Sequence, residues 1–284
     1  MNFGNFCLQV NVRNLGGSMK TPLSYYGGKQ QLAKTILGLI PPHRIYCEPF
    51  LGGAAIFFAK EPSKVEIIND TNGEIINFYE VLKRDFTALE KEVNISLHSR
   101  KLHTHAWVIY QNPELFDRIK RAWAIWMLAN SSYGHMLDGG FGYDKTTGGT
   151  TKKLANKRIN FTEEYAIRLQ NAQIECCDAL KIIRSRDTAD AFFYCDPPYV
   201  GSDQGHYDGY TQEDFDGLLN LLSTIKGKFL LSSFRNEKLD NFVKRKKWHT
   251  FEVAMLCSMT NKTGKPRQKV EVFTANFPIE APDK

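Results

Sequence analysis

Short apolar runs alternate with amphipathic segments toward both ends of the chain. Residues 44–50 form an apolar run that leads through two glycines into the apolar, helical residues 54–60. Val65–Asn69 is a second apolar run, and a helical pattern over residues 72–83 follows it. Strands that alternate with helices are typical of an α/β sheet. The pattern therefore predicts an α/β fold with a mostly parallel sheet.

The middle of the chain breaks this alternation. Residues 84–135 have mainly helical patterns. Residues 138–151 contain five glycines and four threonines, which indicates an exposed loop or hairpin. The strand–helix alternation returns at Glu163 and continues to a last strand near the C-terminus.

We therefore predict one α/β domain that is interrupted by an insertion. The domain comprises residues 19–83 and 161–284, and the helix-rich insertion comprises residues 84–160. Residues 1–18 form an N-terminal extension to which the sequence assigns no use.

The net charge of the chain is concentrated in the predicted insertion. The chain has 284 residues and a formal net charge of +6, and residues 98–160 contain ten Lys and Arg against four Asp and Glu. The rest of the chain is therefore neutral overall. A basic segment between neutral flanks is typical of contact with a polyanion such as nucleic acid, although a solvated surface explains the charge equally well.

Nothing in the sequence indicates a membrane or secreted protein. No apolar run approaches the roughly 18 residues that span a bilayer, and the N-terminus lacks the basic start and apolar block of a secretory signal. The six cysteines form no C-x-x-C pair and lie mostly in apolar runs, which favours free thiols over disulfides or a metal site. We expect a cytoplasmic protein that binds neither membrane nor metal.

The most informative stretch follows a strand predicted at Ala191–Cys195. This strand ends in Asp196-Pro197-Pro198-Tyr199, and the two prolines hold the backbone extended while ending the sheet. The Asp196 carboxylate and the Pro197 carbonyl then form two fixed acceptors, with the Tyr199 ring beside them. This arrangement suits a planar amino group, which offers two N–H bonds and a face for stacking. An ordinary turn after a strand is the simpler alternative.

A second group of residues indicates a nucleoside cofactor. The first predicted strand runs into Gly52-Gly53, and Asp70 ends the next strand eighteen residues after Gly52. An acidic residue about 20 positions downstream is where nucleoside-binding α/β folds hold a ribose diol. The pyrophosphate fingerprint G-x-G-x-x-G is missing, and Gly27-Gly28-Lys29 is not a P-loop. A cofactor without phosphates, S-adenosyl-L-methionine, fits best.

Taken together and in this order, these motifs resemble those of the Dam-like family of DNA adenine-N6 methyltransferases. The resemblance implies a Rossmann-like, SAM-dependent methyltransferase fold with a helix-rich DNA-recognition insertion. It also implies site-specific methylation of adenine N6 in double-stranded DNA, with the target adenine flipped into the pocket. The motifs lie within roughly residues 20–277 and are Tyr25-Tyr26-Gly27-Gly28-Lys29, Glu48-Pro49-Phe50-Leu51-Gly52-Gly53, Asn69-Asp70, Asp178 and Asp196-Pro197-Pro198-Tyr199.

The resemblance implies a role for each motif. Phe50 packs on the cofactor and Asp70 binds its ribose hydroxyls. Asp178, with Ala179 beside it, binds the amine of the cofactor's adenine. The implied catalytic residues are Asp196, Pro197, Pro198 and Tyr199. The implied cofactor-binding residues are Tyr25, Lys29, Glu48, Pro49, Phe50, Gly52, Asp70, Asp178, Ala179 and Asp196.

By the same analogy, the basic insertion recognises the DNA target. Residues 130–134 are similar to the family's loop of Asn and an aromatic residue but lack the arginine often found there, so the family's recognition sequence is not transferred. Phosphate contacts from the insertion would make binding salt-dependent. No metal is needed because the methyl donor is already activated, and a monomer, or a dimer on DNA, is expected. The predicted DNA contacts are Arg121, Asn130, Tyr133, Lys145, Lys152, Lys153, Lys157 and Arg158.

Three alternatives share parts of this pattern. N4-cytosine methyltransferases act on a similar amine, but they more often have Ser at the position of Asp196. Methylation of RNA or of a protein glutamine is the second, although the glutamine enzymes commonly have Asn there. The third is a catalytically silent nucleic-acid-binding module, and the intact Asp70, Asp178 and Asp196 argue against it.

Overall fold

The computed structural model of the protein describes residues 19–199, 210–260 and 266–279, and the predicted extension at residues 1–18 lies outside them. The strands of these residues form a single seven-stranded sheet. They are β1 (Ile45–Glu48), β2 (Val65–Asn69), β3 (Ala172–Glu175), β4 (Ala191–Cys195), β5 (Lys228–Ser233), β6 (His249–Thr260) and β7 (Pro266–Ala275).

The spatial order of the strands is β3-β2-β1-β4-β5-β7-β6. All neighbouring pairs from β3 to β5 are parallel, whereas β7 is antiparallel to both β5 and β6. The chain leaves β1 toward one edge and returns to β4 on the other side of β1, so the strand order reverses between β1 and β4. In an open α/β sheet, ligands bind beyond the carboxyl ends of the strands at such a reversal.

Eleven α-helices occur in the described part of the chain. A 3-10 turn at Lys29–Gln31 leads into the first of them. The helices are α1 (Ala33–Leu39), α2 (Ala55–Ala59), α3 (Gly73–Arg84), α4 (Phe86–Asn94), α5 (Arg100–Gln111), α6 (Arg118–Ser131), α7 (Gly149–Ile159), α8 (Glu164–Leu169), α9 (Ala179–Arg186), α10 (Gln212–Leu222) and α11 (Glu237–Lys246).

Strand β4 is buried on both faces of the sheet. All five of its residues are buried. Phe192 and Tyr194 belong to the core on one face of the sheet, and Phe193 and Cys195 belong to the core on the other. Successive side chains of a strand point to opposite faces, and helices cover both faces here, which accounts for the continuous apolar run of β4.

Helix α6 joins the helical insertion to the sheet. It begins after Asp117, whose carboxylate accepts the backbone N–H groups of Ile119 and Lys120. Residues 122–131 of this helix are all buried, and Trp126 lies in the same core as strand residues such as Ile68. Helix α6 packs against α3, α4 and α5. The insertion and the sheet therefore share one core, which fixes the insertion relative to the strand ends.

The predicted fold class is confirmed, but the sequence pattern missed four elements: α7, α9, α11 and β6. Helix α7 buries only one side chain, Leu154, so no apolar stripe marks it. Helix α11 has a short apolar stripe of Leu239, Phe242 and Val243, which pack against the core but were not identified from the sequence. Strand β6 lies at the edge of the sheet. No helix among the described residues is long and apolar enough to cross a lipid bilayer.

Candidate active site

Three carboxyl groups lie at the ends of adjacent strands. Glu48 is the last residue of β1, Asp70 follows β2, and Asp196 follows β4. Because β1 runs parallel to both neighbours, these three ends meet at one edge of the sheet. A cavity of about 650 Å³ opens there, which is the size of a small-ligand site. Its walls include all the predicted cofactor-binding and catalytic residues, namely Tyr25, Lys29, Glu48, Pro49, Phe50, Gly52, Asp70, Asp178, Ala179, Asp196, Pro197, Pro198 and Tyr199.

The glycine turn after β1 packs against Tyr25. A Cβ atom on Gly53 would lie 2.7 Å from Tyr25 Cβ, and one on Gly52 would lie 3.0 Å from the Tyr25 ring. Gly52 also has a φ of +45°, a conformation that disfavours any side chain. The two glycines therefore let the Tyr25 segment close against the turn at the mouth of β1.

Asp70 braces the same turn. Its Oδ2 accepts the Gly52 N–H at 2.8 Å, and its Oδ1 accepts the Asn72 N–H at 2.9 Å. Burial raises the pKa of Asp70, and these backbone N–H groups oppose the rise. A carboxylate has about four lone-pair positions, so a position remains to accept a hydroxyl group beside these backbone donors. The Asp70 carboxylate can therefore hold the turn and a ribose hydroxyl together.

Aromatic rings and a further acid line another part of the cavity. The Phe50 and Tyr210 rings meet edge to face with their centroids 6.2 Å apart. Asp178 caps helix α9 by accepting the Lys181 N–H at 2.9 Å through Oδ1. The Tyr210 hydroxyl is buried and makes no hydrogen bond to any described residue. Tyr210 belongs to none of the sequence motifs, and the sequence analysis did not identify it.

Glu48 is the most deeply buried carboxyl group of the cavity wall. Glu48 is 2% exposed, and its Oε2 accepts a hydrogen bond from the Tyr46 hydroxyl at 2.8 Å. Burial raises the pKa of Glu48 to about 8, although the bond from Tyr46 opposes the rise. Glu48 is therefore mostly protonated at neutral pH. A cationic ligand beside it would favour the charged form.

Asp196 belongs to a cluster of charged and hydroxyl groups. Lys29 Nζ lies 2.8 Å from Asp196 Oδ1 and 3.7 Å from Glu271 Oε1. The Tyr199 hydroxyl has one proton and lies nearest Glu271 Oε1, and its oxygen is 3.2 Å from Asp196 Oδ1. Ser232 Oγ donates to Glu271 Oε1 at 2.5 Å. Burial raises the pKa of Asp196, the Lys29 ammonium opposes this rise, and the charge of Glu271 adds to it.

The ring of Tyr199 has neighbours on two sides. Phe234 meets it at an angle of 67° with the centroids 4.5 Å apart, and Lys29 Nζ lies 4.9 Å from the ring centroid. A base that stacks on Tyr199 must therefore enter beside Lys29 and Phe234. Phe234 was not among the residues predicted from the sequence.

Four of the eight predicted DNA contacts are buried or partly buried and bonded within the protein, and Asn130 and Arg121 are two of them. Asn130 is buried, and its Oδ1 accepts the Ser24 N–H at 3.1 Å while its Nδ2 donates to the Trp126 carbonyl at 2.9 Å. Arg121 forms a bidentate ion pair with Glu74. These bonds engage the groups that a DNA contact would need, so the role of both residues in DNA binding stays a prediction.

Lys157 and Arg158 are the other two. Lys157 Nζ donates to the Thr21 carbonyl at 2.7 Å, and this side chain lines the cavity. Burial lowers the pKa of Lys157 to about 8. Arg158 donates to the Ser96 carbonyl at 2.7 Å. Lys157 therefore joins α7 to the segment that precedes the Tyr25 motif, and DNA contact by either residue stays a prediction.

The remaining four predicted DNA contacts are exposed on the hairpin and helix α7. Tyr133 is 62% exposed. It follows Ser132, which pairs with Phe141 in an antiparallel bridge and so closes a hairpin that begins before the loop predicted at residues 138–151. The other three are Lys145, Lys152 and Lys153.

Arg100 and Tyr143 extend this exposed surface. The Arg100 guanidinium lies 5.1 Å from the centroid of the Phe141 ring and 5.4 Å from that of Tyr143. The sequence analysis did not select either residue as a DNA contact. The hairpin also touches the cavity side of the fold, because the His135 carbonyl accepts the Tyr26 N–H at 3.1 Å.

The residues around the cavity fit S-adenosylmethionine in chemical type. Asp70 offers acceptors for a diol, Asp178 offers one for an amine, and Glu48 offers a carboxyl group for a positive charge. The carboxylates of Asp70 and Asp178 would repel phosphates. The buried Tyr210 hydroxyl leaves a further hydrogen bond to be made. Within the described residues there is no group of three or more His, Cys, Asp or Glu side chains that could hold a metal ion.

Comparisons with known proteins agree with this chemistry. The family described as D12 class N6 adenine-specific DNA methyltransferase matches residues 25–255. The Type II methyltransferase M1.LlaDCHI of Lactococcus lactis subsp. cremoris is 27% identical over 224 residues, which cover 73% of this chain and 74% of that protein. The retron Ec67 DNA adenine methylase of Escherichia coli is 24% identical, with 72% of each chain covered. The Type II methyltransferase M.MjaIII of Methanocaldococcus jannaschii is 26% identical and covers 70% of this chain and 75% of that protein.

Proposed function

The chain belongs to the D12 class of N6 adenine-specific DNA methyltransferases, and we propose that it transfers a methyl group from S-adenosylmethionine to a flipped adenine at a specific site in double-stranded DNA. The observation that best supports this proposal is the position of Asp196. Its carboxylate stands at the end of β4 in the wall of the same cavity as Phe50, Asp70 and Asp178.

Asp196 and Pro197 are proposed to hold the target amine. The Asp196 carboxylate accepts one N–H and the Pro197 carbonyl accepts the other. These two bonds localise the nitrogen lone pair, which is otherwise delocalised into the ring, and fix its direction. The negative carboxylate also stabilises the positive charge that grows on the nitrogen as it reacts.

The cofactor is proposed to lie along the glycine turn. Asp70 holds its ribose hydroxyls, Asp178 and Ala179 hold the edge of its adenine, and Phe50 covers the adenine face. Glu48 lies where a carboxylate can balance a cationic ligand. S-adenosylmethionine, when bound, supplies a methyl group on a positively charged sulfur, which makes the methyl group reactive without a metal ion.

The insertion at residues 84–160 is proposed to recognise the DNA. Flipping a base out of a duplex costs a few kcal/mol, so the protein must gain that energy from contacts with the flanking DNA. The exposed Lys145, Lys152 and Lys153 offer phosphate contacts, and the exposed Tyr133 offers a stacking surface. Tyr199 and Phe234 form an aromatic boundary for the flipped base beside Asp196.

Modification-sensitive sequencing of DNA from cells that express the protein tests this function. We expect N6-methyladenine at one short sequence, and no modification in cells that express the Asp196→Ala variant. Methylated cytosine instead of adenine would overturn the base assignment. Unmodified DNA, together with a purified protein that binds the cofactor, would overturn the DNA methyltransferase proposal.

A further inference from the structure

Glu271 lies beside Asp196 but outside every motif on which the family resemblance rests. Glu271 lies on β7 and is 4% exposed. A buried carboxylate without ion-pair or hydrogen-bond partners destabilises the folded state. The neighbours of Glu271 should therefore explain why it is buried. Among the residues that the structure describes, its partners are Lys29, Tyr199 and Ser232.

Glu271 faces both of the groups that donate to Asp196. Lys29 Nζ is 2.8 Å from Asp196 Oδ1 and 3.7 Å from Glu271 Oε1. The Tyr199 hydroxyl is 3.2 Å from Asp196 Oδ1 and also within hydrogen-bond distance of Glu271 Oε1. The two carboxylates therefore compete for the same ammonium and the same hydroxyl.

This competition matters because Asp196 must also accept the target amine. The Lys29 ammonium donates to Asp196 Oδ1 and balances its negative charge. A carboxylate with a balanced charge still has lone pairs for an amine, but it does less to stabilise a positive charge that grows on that amine. Glu271 already bonds the Tyr199 hydroxyl and is placed to draw the ammonium away from Asp196.

We propose that Glu271 is a positioning residue, which holds the Tyr199 hydroxyl and takes Lys29 from Asp196 when the target amine arrives. The proposal rests on the proposed function. With Lys29 paired to Glu271, the Asp196 carboxylate keeps its full negative charge next to the reacting nitrogen, where it stabilises the growing positive charge. Ser232 holds Glu271 Oε1 in place from strand β5.

The remaining polar groups near the cluster do not replace Glu271. The charge of Asp196 raises the pKa of both Glu48 and Tyr194, but Glu48 hydrogen-bonds to Tyr46. Among the described residues, Glu271 is the one carboxylate other than Asp196 that forms an ion pair with Lys29.

The Glu271→Gln variant tests the proposal, because glutamine keeps the size and an acceptor for Ser232 and Tyr199 but loses the charge. Once the recognition sequence is known, we expect the single-turnover methylation rate to fall about tenfold or more at neutral pH. Binding of S-adenosylmethionine and of duplex DNA, measured by calorimetry and by fluorescence anisotropy, should stay within about twofold of the wild type because Glu271 does not line the cavity.

The pH profile separates positioning from a purely structural role. Glu271 raises the pKa of Asp196, so its neutralisation should move the acid limb of the rate profile to lower pH. Glu252→Gln on the neighbouring strand β6 is the matched control, since Glu252 is exposed and pairs with Arg235. This control should keep the rate and the acid limb of the wild type.

Ser232→Ala is a second variant in case Glu271→Gln does not fold. It leaves both carboxylates in place but frees Glu271 from its anchor, so we expect a fall of about threefold in the single-turnover rate. Wild-type rates and an unmoved acid limb in Glu271→Gln would overturn this inference. A wild-type protein that does not methylate adenine would instead overturn the proposed function, so the two failures are distinguishable.

Discussion

Lys29 Nζ lies 2.8 Å from Asp196 Oδ1, which joins two residues 167 positions apart in a mostly buried ion pair. The Lys29 side chain is 8% exposed and that of Asp196 is 18% exposed. The pair therefore connects the segment before α1 to the end of β4 across the floor of the cavity. In such surroundings, removal of either partner leaves a charge with little water to stabilise it.

Replacement of Asp196 by Asn should nearly abolish methyl transfer. Asn keeps the size of the side chain but loses the negative charge that supports the reacting nitrogen. We expect the single-turnover rate to fall about a hundredfold to a thousandfold, comparable to the loss of one aligned electrostatic group in other enzymes. Calorimetry should show cofactor binding largely retained. Asp216→Asn is the matched control, because Asp216 lies on α10 and pairs with the exposed Lys238. Near-native transfer by Asp196→Asn would rule out its catalytic role.

Replacement of Lys29 by Met should destabilise the protein by about 3 kcal/mol at neutral pH, since Asp196 and Glu271 lose their shared cation. This loss of folding stability should become smaller toward acid pH. Burial already raises the folded-state pKa of Asp196, and without Lys29 that pKa rises further, so protonation at low pH removes the unpaired charge.

Urea unfolding at several pH values measures this loss. The control is Lys34→Met, because Lys34 is exposed on α1 and should change the unfolding free energy by less than about 0.5 kcal/mol. Equal destabilisation by Lys29→Met at acid and neutral pH would show that the ion pair is not its cause.

The strand-end carboxylates could be predicted from sequence because local patterns mark them. Asp70 and Asp196 each follow an apolar run, and the parallel pairing of β2, β1 and β4 brings the runs together. Glu271 could not be predicted in this way. It stands between Val270 and Val272, an alternation that suggests a solvated Glu, yet Val270 is 45% exposed and Glu271 is buried. Only the pairing of β7 beside β5 puts Glu271 next to Ser232 and the end of β4.

Charge counting showed that residues 98–160 are basic, but it could not distinguish exposed side chains from buried ones. Helix α6 is buried over most of its length, so Asn130 points into the fold although polar residues usually lie outside. Lys157 reaches back to the Thr21 carbonyl for the same reason: the tertiary packing of α7 decides its direction. A local sequence pattern cannot indicate partners that lie so far away along the chain.

The exposed lysines of helix α7 should account for part of the salt dependence of DNA binding. A plot of log K against log salt concentration loses about one unit of slope for each phosphate contact removed. The double variant Lys152→Gln/Lys153→Gln should therefore lower the slope by about two if both bind phosphates.

Fluorescence anisotropy with a labelled duplex measures this slope. Lys157→Gln should leave it unchanged, because Lys157 Nζ is bonded to Thr21 inside the fold. Lys64→Gln is an external control. Lys64 is exposed just before β2, at the amino ends of the strands, whereas the cavity lies at their carboxyl ends. An unchanged slope in the double variant, or a large loss with Lys157→Gln, would contradict this division of the basic residues.

Cofactor binding should release a proton from Glu48. The pKa of Glu48 is about 8 in the protein alone, so the carboxyl group is mostly neutral at pH 7. A cationic ligand beside it favours the carboxylate and lowers that pKa. Between the lowered pKa and about 8, binding therefore releases up to about one proton, and affinity rises with pH by up to about tenfold per pH unit. Above pH 8 the affinity should level off, because Glu48 is then already ionised.

Calorimetry in buffers of different ionisation enthalpy counts the released protons. S-adenosylmethionine carries a sulfonium and S-adenosylhomocysteine does not, so the first should release more protons than the second at the same pH. Glu48→Gln cannot ionise, and its affinity should be weaker above pH 8 but independent of pH between 6 and 8. A proton release that persists in Glu48→Gln would assign the titration to another group. No release from the wild type would mean that Glu48 does not respond to the charge of the cofactor.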